Sequence, residues 1–176
     1  MNTIRLTEPT IEYANDIWQF RQELLDANDP SRFAGCSGLE TCSSAKEWIA
    51  AVNMMKSEES CPKDKVPTHV YLAIRKTDHK IVGITDLRHH IDHPILSTWG
   101  GHIGYSVRPS ERNKGYAKEM LRQNLQNCLA LGIHKVLITC KVNNIASEKT
   151  ILAAGGIFEK EVEANGHIMK RYWITL

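Results

Sequence analysis

Residues 69–88, HVYLAIRKTDHKIVGITDLR, hold two strand-like runs on either side of Thr77, Asp78 and His79. β-Branched and aromatic residues fill both runs, 69–76 and 80–88, and so short a polar connection predicts a tight antiparallel hairpin. A lone hairpin is marginal in water, so the remaining chain has to cover its faces and pair its edges.

The flanking segments supply that cover. Residues 3–7 (TIRLT) alternate like a short strand. Pro9 and Thr10 then open a helix with Ala14, Ile17, Trp18, Leu24 and Leu25 on one face. Residues 26–38 are rich in Asp, Asn, Pro and Gly and read as a loop. A second amphipathic helix is expected near 43–56, carrying Ala45, Trp48, Ile49, Val52 and Met55. The polar stretch 57–67 holds two prolines and reads as a surface loop. After the hairpin and a His-rich loop, WGGHIGYSV (99–107) predicts a third sheet strand, followed by a helix from about Gly115 to Leu131. HKVLITC (134–140) is apolar enough for a central strand. Residues 144–156 read as a short helix ending at glycine. Two last strands, near 157–163 and 167–175, turn at Asn165-Gly166, a strong hairpin signal. The order β, two helices, three antiparallel strands, helix, strand, helix, two strands predicts one α/β domain over residues 1–176.

Composition narrows the function classes. A net charge of +2 lacks the concentrated basic stripe of a nucleic-acid binder, so no nucleic-acid partner is expected. No run approaches the roughly 20 apolar residues that span a bilayer, and no membrane association is expected. Five cysteines form no CxxC pair and no Cys/His ligand spacing, and no leader-like run follows Met1. These features predict reduced thiols in a cytoplasmic protein. The loop RHHIDHP (88–94) crowds three His and an Asp, yet matches no zinc spacing, and adjacent His89 and His90 point apart in an extended segment; no metal is expected.

The chemistry concentrates at RPSERNKGYAKEM, 108–120, between a strand and a helix. A helix start exposes unpaired N–H groups and the positive dipole end, which together bind phosphate. Gly115 lets backbone approach an anion closely. Asn113, Lys114, Gly115, Tyr116 and Ala117 can supply N–H donors, with Arg108, Arg112, Lys114 and Lys118 around them. The P-loop and dinucleotide fingerprints are both absent. What remains is Arg112-x-x-Gly115-x-Ala117, which by itself leaves a solvated basic helix start open as the other reading.

In its setting the pattern resembles the GNAT superfamily of acyl-CoA-dependent N-acyltransferases. Their Gln/Arg-x-x-Gly-x-Gly/Ala signature joins the fourth strand to the third helix and cradles the coenzyme A pyrophosphate. GHIGYSVRPSERNKGYAKEML is similar to that strand and loop. NNIASEKTILAAGGIFE resembles the family's second motif, with Asn144, Ser147 and Gly155 in place. The flavour is nearest to the branch containing the ribosomal-protein N-terminal acetyltransferases. The resemblance implies a single mixed, mostly antiparallel sheet of six to seven strands, flanked by about four helices and splayed between strands four and five. It implies acetyl-CoA as co-substrate, with the pantetheine arm lying in the splay like a missing strand. A backbone N–H near Ser106 and Val107 would polarise the thioester carbonyl, and Asn144 would hold the pantetheine. Many members are homodimers.

Catalytic assignments are less direct. Many relatives carry a Tyr seven residues after that Asn as the acid for the departing thiolate; this chain has Ile151. Ser147 and Tyr105 are the alternative donors, Tyr105 being otherwise a core aromatic. For the base, His102 titrates near neutrality and alternates with Gly104 and Ser106 on one strand face, whereas Asp86 sits on the neighbouring strand. The expected activity is transfer of acetyl from acetyl-CoA to a small-molecule primary amine in a ternary complex, because the long segment 26–67 can cap the cleft. A protein or peptide N-terminal acetyltransferase is the second reading. A catalytically silent acyl-CoA-binding module, suggested by Ile151, is the third.

Overall fold

The computed structural model describes residues 3–29 and 33–176; Met1, Asn2 and, inside the expected loop 26–38, Pro30, Ser31 and Arg32 lie outside the described residues. The hairpin forms as β2 (Thr68–Arg75) and β3 (Ile81–Arg88), antiparallel, with Val70 opposite Asp86 and Leu72 opposite Ile84. Its turn is held by a two-point ion pair from Arg75 to Asp78. Every residue of β3 from Ile81 to Leu87 is buried, so both its faces are covered. β1 (Ile4–Thr7) pairs with the outer edge of β2, and β4 (Ile103–Val107) with the free edge of β3.

Helices cover the two faces in sequence order. On one face α1 (Ala14–Asp26) and α2 (Ala45–Met54) set Ile17, Phe20, Leu24, Trp48, Ile49 and Val52 against Val70, Leu72, Ile74 and Ile84. Each such buried side chain contributes about 1.5–3 kcal/mol of transfer free energy. On the other face α3 (Tyr116–Ala130) sets Leu121, Leu125 and Cys128 against Leu87 and Ile103. α1 begins later than its sequence suggests, because Ile11–Tyr13 form a 3-10 turn first. α2 is shorter at its start because the Ser44 hydroxyl accepts the Glu47 N–H and caps the helix there.

The chain then builds a second unit, with strands β5 (Lys135–Lys141), β6 (Ile157–Ala164) and β7 (His167–Thr175) in the order β5-β7-β6. α4 (Ile145–Ala153) links β5 to β6 and buries Ile151 against the same core as α3. The β6–β7 hairpin turns at Asn165 (φ 51°) and Gly166 (φ 74°), the positive-φ pair that the dipeptide predicts.

Two details differ from expectation. Every ladder among the described residues is antiparallel, with no parallel pair, and the seven strands divide into units of four and three at the expected splay between strands four and five. The strand expected from Trp99 starts only at Ile103, because Leu96–Gly100 wind into a π-turn. Its carbonyls are captured from the sheets: Arg88 donates to Gly100 O and Gly101 O, Arg171 to Ser97 O and Thr98 O, and the Thr139 hydroxyl to Trp99 O.

Candidate active site

β4 and β5 form no ladder, and the gap between them opens into a cleft of about 950 Å³. The two strands are pinned together at one point, where His102 N–H donates to Leu137 O (2.8 Å) and Leu137 N–H to His102 Nδ1 (2.9 Å). Beyond that pin the edges separate. In an antiparallel ladder, residues alternate between bonding the neighbour and pointing away from it. Arg108 N–H donates to Val82 O and Arg88 N–H to His102 O, so the even residues of β4 bond β3. The N–H and C=O groups of Tyr105 and Val107 therefore face the gap. Val142 N–H donates to Ile168 O and Leu176 N–H to His134 O, so even residues at that side bond β7, leaving those of Thr139 and Lys141 to face the gap. Within these edges Lys141 O accepts from Asn144 N–H (2.9 Å) and Val107 O from Arg112 Nε (3.4 Å), but no ladder joins β4 to β5 across the space, which an extended amide chain can enter.

The loop between β4 and α3 forms the mouth. After a 3-10 turn at Pro109–Glu111, Asn113 (φ 63°) and Gly115 (φ 84°) both take the left-handed conformation. This geometry favours glycine at 115, where a Cβ would meet no protein atom within 4 Å. The first-turn N–H groups of α3 open onto that empty space, and Asn113, Gly115, Tyr116 and Ala117 all line the cleft. These features fit a bound diphosphate: free N–H donors, a dipole end and no side chain in the way.

The charges around the loop are arranged differently from the sequence expectation. Arg108 does not line the cleft. It is 1% exposed, bonds Asp16 and Glu23 on α1 and lies over the Phe20 ring. Lys114 is also turned away, bonding Glu111 at 2.8 Å. Glu111 is a buried hub for Lys114, Arg75 and Lys80, and those cations hold its carboxyl down to about 2. Arg112 lines the cleft but pairs with Asp29 at 2.9 Å.

At the far wall, the Asn144 side chain caps α4 by accepting the Ser147 N–H (3.1 Å). The Ser147 Oγ lies 2.8 Å from the Tyr105 hydroxyl, and both residues line the cleft. Burial pushes the Tyr105 phenol up to about 12, with the Ser147 bond pulling it back, so the phenol stays protonated at neutral pH. Ile151, which stands where many relatives carry a tyrosine, is wholly buried in the core.

The two candidate bases, His102 and Asp86, lie outside the cleft wall. His102 is 6% exposed, and its Nδ1 lone pair is occupied by the Leu137 N–H. Burial and the neighbouring Arg88 charge push its imidazole down to about 4. Asp86 is buried, not a surface carboxylate. Its oxygens accept from Gly104 N–H (2.7 Å) and Arg88 (2.9 Å). Burial pushes its carboxyl up, against the pull of Arg88.

Other cleft residues carry no sequence signal. Phe33 and Ala34 line it because segment 33–37 crosses β4, where Ser106 Oγ donates to Ala34 O (2.8 Å). The crossing is backbone on backbone: a Cβ on Gly35 would lie 2.2 Å from Gly104 O. Thr139, Lys141, Lys149 and Met169 complete the wall. In the His-rich loop, His89 Nε2 lies 2.7 Å from His69 Nδ1, whereas His90 faces Glu58 and Asp92. No group of three or more metal-ligating side chains occurs among the described residues. No helix among them is long and apolar enough to cross a membrane.

No curated protein matches the sequence. Solved structures share the fold across almost the whole chain. The ribosomal-protein-S5-alanine acetyltransferase of Vibrio fischeri has a TM-score of 0.72 at 16% identity, covering 98% of this chain and 91% of its own. The microcin C7 self-immunity acetyltransferase, solved with acetyl-CoA and AMP, has a TM-score of 0.70 at 19% identity, with 100% and 94% covered. A chimera of the spermidine N-acetyltransferase of Vibrio cholerae has a TM-score of 0.66 at 15% identity, with 98% and 95% covered. The model of the acetyltransferase (GNAT) domain matches residues 3–157. With the splayed strands, the glycine loop at the start of α3 and this match over most of its length, the chain belongs to the GNAT acetyltransferase family.

Proposed function

We propose that the protein moves an acetyl group from acetyl-CoA to the primary amine of a small molecule, within a ternary complex. The observation that carries this reading is the splay between β4 and β5, which form no ladder, meeting the Tyr105–Ser147 hydroxyl pair in one cleft. When bound, acetyl-CoA supplies a thioester carbonyl that a neutral amine attacks, and the coenzyme leaves as its thiol.

The chain's own groups then divide the work. The α3 N-terminus with Asn113, Gly115, Tyr116 and Ala117 holds the diphosphate. The gap-facing backbone groups of Tyr105 and Thr139 orient the pantetheine, and Asn144 stands at its side. The Val107 N–H polarises the carbonyl as an oxyanion donor does. Ser147 Oγ donates toward the sulfur while the Tyr105 hydroxyl donates to Ser147 Oγ. A phenol held near 12 does not give its proton up to a thiolate of ordinary thiol pKa, about 8.5; the pair therefore stabilises charge by hydrogen bonding, and solvent supplies the thiol proton.

The neutral amine comes from solution, and the proton its nitrogen sheds after attack returns to solvent. His102 serves as a neutral pin between β4 and β5, because its Nδ1 lone pair is already bonded, and Asp86 as a strut beneath Gly104, because it is buried outside the cleft wall. A small acceptor is favoured because segment 33–37 lies across β4 and narrows the approach to the cleft. Incubation with acetyl-CoA and a mixture of amines and peptides, read by mass spectrometry with thiol release, tests the proposal. Acetylated small amines support it; acetylated peptide N-termini alone would move the acceptor to the protein class. Coenzyme binding without any product would leave a silent binding module.

A further inference from the structure

Two lysines at the mouth of the cleft are free of the pairing that occupies the other cations near the coenzyme loop. Arg112 is held by Asp29 and Lys114 by Glu111. Lys118 and Lys149 line the cleft, and neither has an ion-pair partner among the described residues. They reach the mouth from opposite sides. Lys118 stands on the first turn of α3, three residues past Gly115 and beside the expected diphosphate position. Lys149 stands on α4, one turn beyond Ala146, on the helix face that also brings Ala146 and Thr150 to the cleft.

A ligand that enters between β4 and β5 and rests its diphosphate on the α3 N-terminus has to extend its remaining part outward, between these two helices. In coenzyme A that part carries a 3′-phosphate, a monoester with roughly −1.5 to −2 charges at neutral pH. The α3 N–H groups are already engaged by the diphosphate, and Lys118 lies beside them. The free cation on the facing helix is Lys149.

We infer that Lys149 reads the coenzyme's 3′-phosphate and makes the site select coenzyme A over its 3′-dephospho form, whereas Lys118 neutralises the diphosphate. The inference rests on the proposed seating of the diphosphate at the start of α3. Lys149 is exposed, so the interaction is screened and weakens with salt.

Calorimetric titration of the full chain with coenzyme A and with 3′-dephospho-coenzyme A tests this at low and raised salt. Wild-type protein should prefer coenzyme A. K149A should weaken coenzyme A about 5- to 20-fold, as expected for a partly screened charge-assisted bond, and leave dephospho-coenzyme A within about twofold. K149E should widen the loss on coenzyme A alone. K118A should weaken both ligands alike. Equal losses for K149A on the two ligands, or none on coenzyme A, would overturn the assignment. A wild-type chain that binds neither ligand would overturn it too, by removing the coenzyme seating itself, and that outcome differs visibly from binding without discrimination.

Discussion

The Tyr105 hydroxyl and Ser147 Oγ lie 2.8 Å apart, joining the middle of β4 to the first turn of α4 across the cleft. Ser147 is itself oriented by the Asn144 side chain, which accepts its N–H. The three polar groups form a row from the helix cap to the strand.

That row should matter for turnover more than for coenzyme binding. Tyr105→Phe and Ser147→Ala should each lower kcat about 10- to 100-fold, the range of one charge-stabilising hydrogen bond in a closed site. The double variant should lose little more than either single one, because the hydroxyls act as a unit. Steady-state kinetics with acetyl-CoA affinity measured in parallel checks this; full turnover in both single variants would remove the pair from the mechanism.

His102 gives a pH-dependent stability term. Its folded value, about 4, lies below the unfolded value of about 6.5, because burial and Arg88 disfavour the charged ring. Between those values the unfolded chain takes a proton that the folded one refuses. The stabilisation is therefore complete above about pH 6.5 and is lost as pH falls towards 4, by about 2–4 kcal/mol in all. His102→Ala should remove this limb. It should also cost about 1–3 kcal/mol at neutral pH, since Leu137 N–H loses its acceptor. Thermal melts across pH 4–8 for both proteins measure the two effects.

Much of this architecture is legible in the sequence because it rests on local periodicity. Among the described residues the seven strands and four α-helices come in the expected order, and the Asn165-Gly166 turn is where its dipeptide puts it. The loop at Asn113–Ala117 is legible because a left-handed glycine and a helix start are local features. Side-chain partners are not local. Arg108 reads as a phosphate ligand by type and position, yet its guanidinium bonds Asp16, 92 residues earlier. His102 and Asp86 have the right chemistry for a base, but the bonds that occupy them come from Leu137 and Gly104 on other strands. The π-turn at Leu96–Gly100 is set by Arg88 and Arg171 reaching its carbonyls, which no alternation pattern encodes. Phe33 and Lys149 enter the cleft only through the packing of a loop and a helix against β4 and β5.

The crossing of Gly35 over Gly104 leaves no room for side chains. A Cβ at Gly104 would lie 2.7 Å from Gly35 N and 2.9 Å from Gly35 Cα, so the clash is with backbone. Gly104→Ala should destabilise the fold by about 1–3 kcal/mol or push segment 33–37 off the strand, the usual scale of overpacking. Denaturant melts should show the loss. Hydrogen exchange should show the displacement as faster exchange in segment 33–37; a variant with native stability and native exchange would contradict the crossing.

Coenzyme binding should depend on the backbone at Gly115. At φ 84° a β-branched residue is strained, and its side chain would project into the space over the loop. Gly115→Val should weaken coenzyme A by about 2 kcal/mol or more through strain and blocked approach together. Gly115→Ala should lose less, having no branch at Cβ. Calorimetry on folded variants decides it, and unchanged affinity in Gly115→Val would break the assignment of this loop.

Neither His102 nor Asp86 lines the cleft where the acceptor amine would react. If no side chain takes the ammonium proton, only the fraction of acceptor already neutral in solution can react. kcat/KM should then rise with pH in a single limb whose apparent pKa is the acceptor's own. Changing the acceptor should move that limb by the difference between the two amines' pKa values, whereas an enzyme base in the free protein would fix it. Asp86→Asn should leave the limb where it is, even if it costs stability, because Arg88 and Gly104 N–H lose a charged acceptor. His102→Asn, which retains an acceptor for Leu137 N–H, should do the same with little loss of turnover. A pH limb that stays put across acceptors and vanishes in either variant would instead make that residue the base, and its bonds to Leu137 or to Gly104 and Arg88 would have to open during turnover.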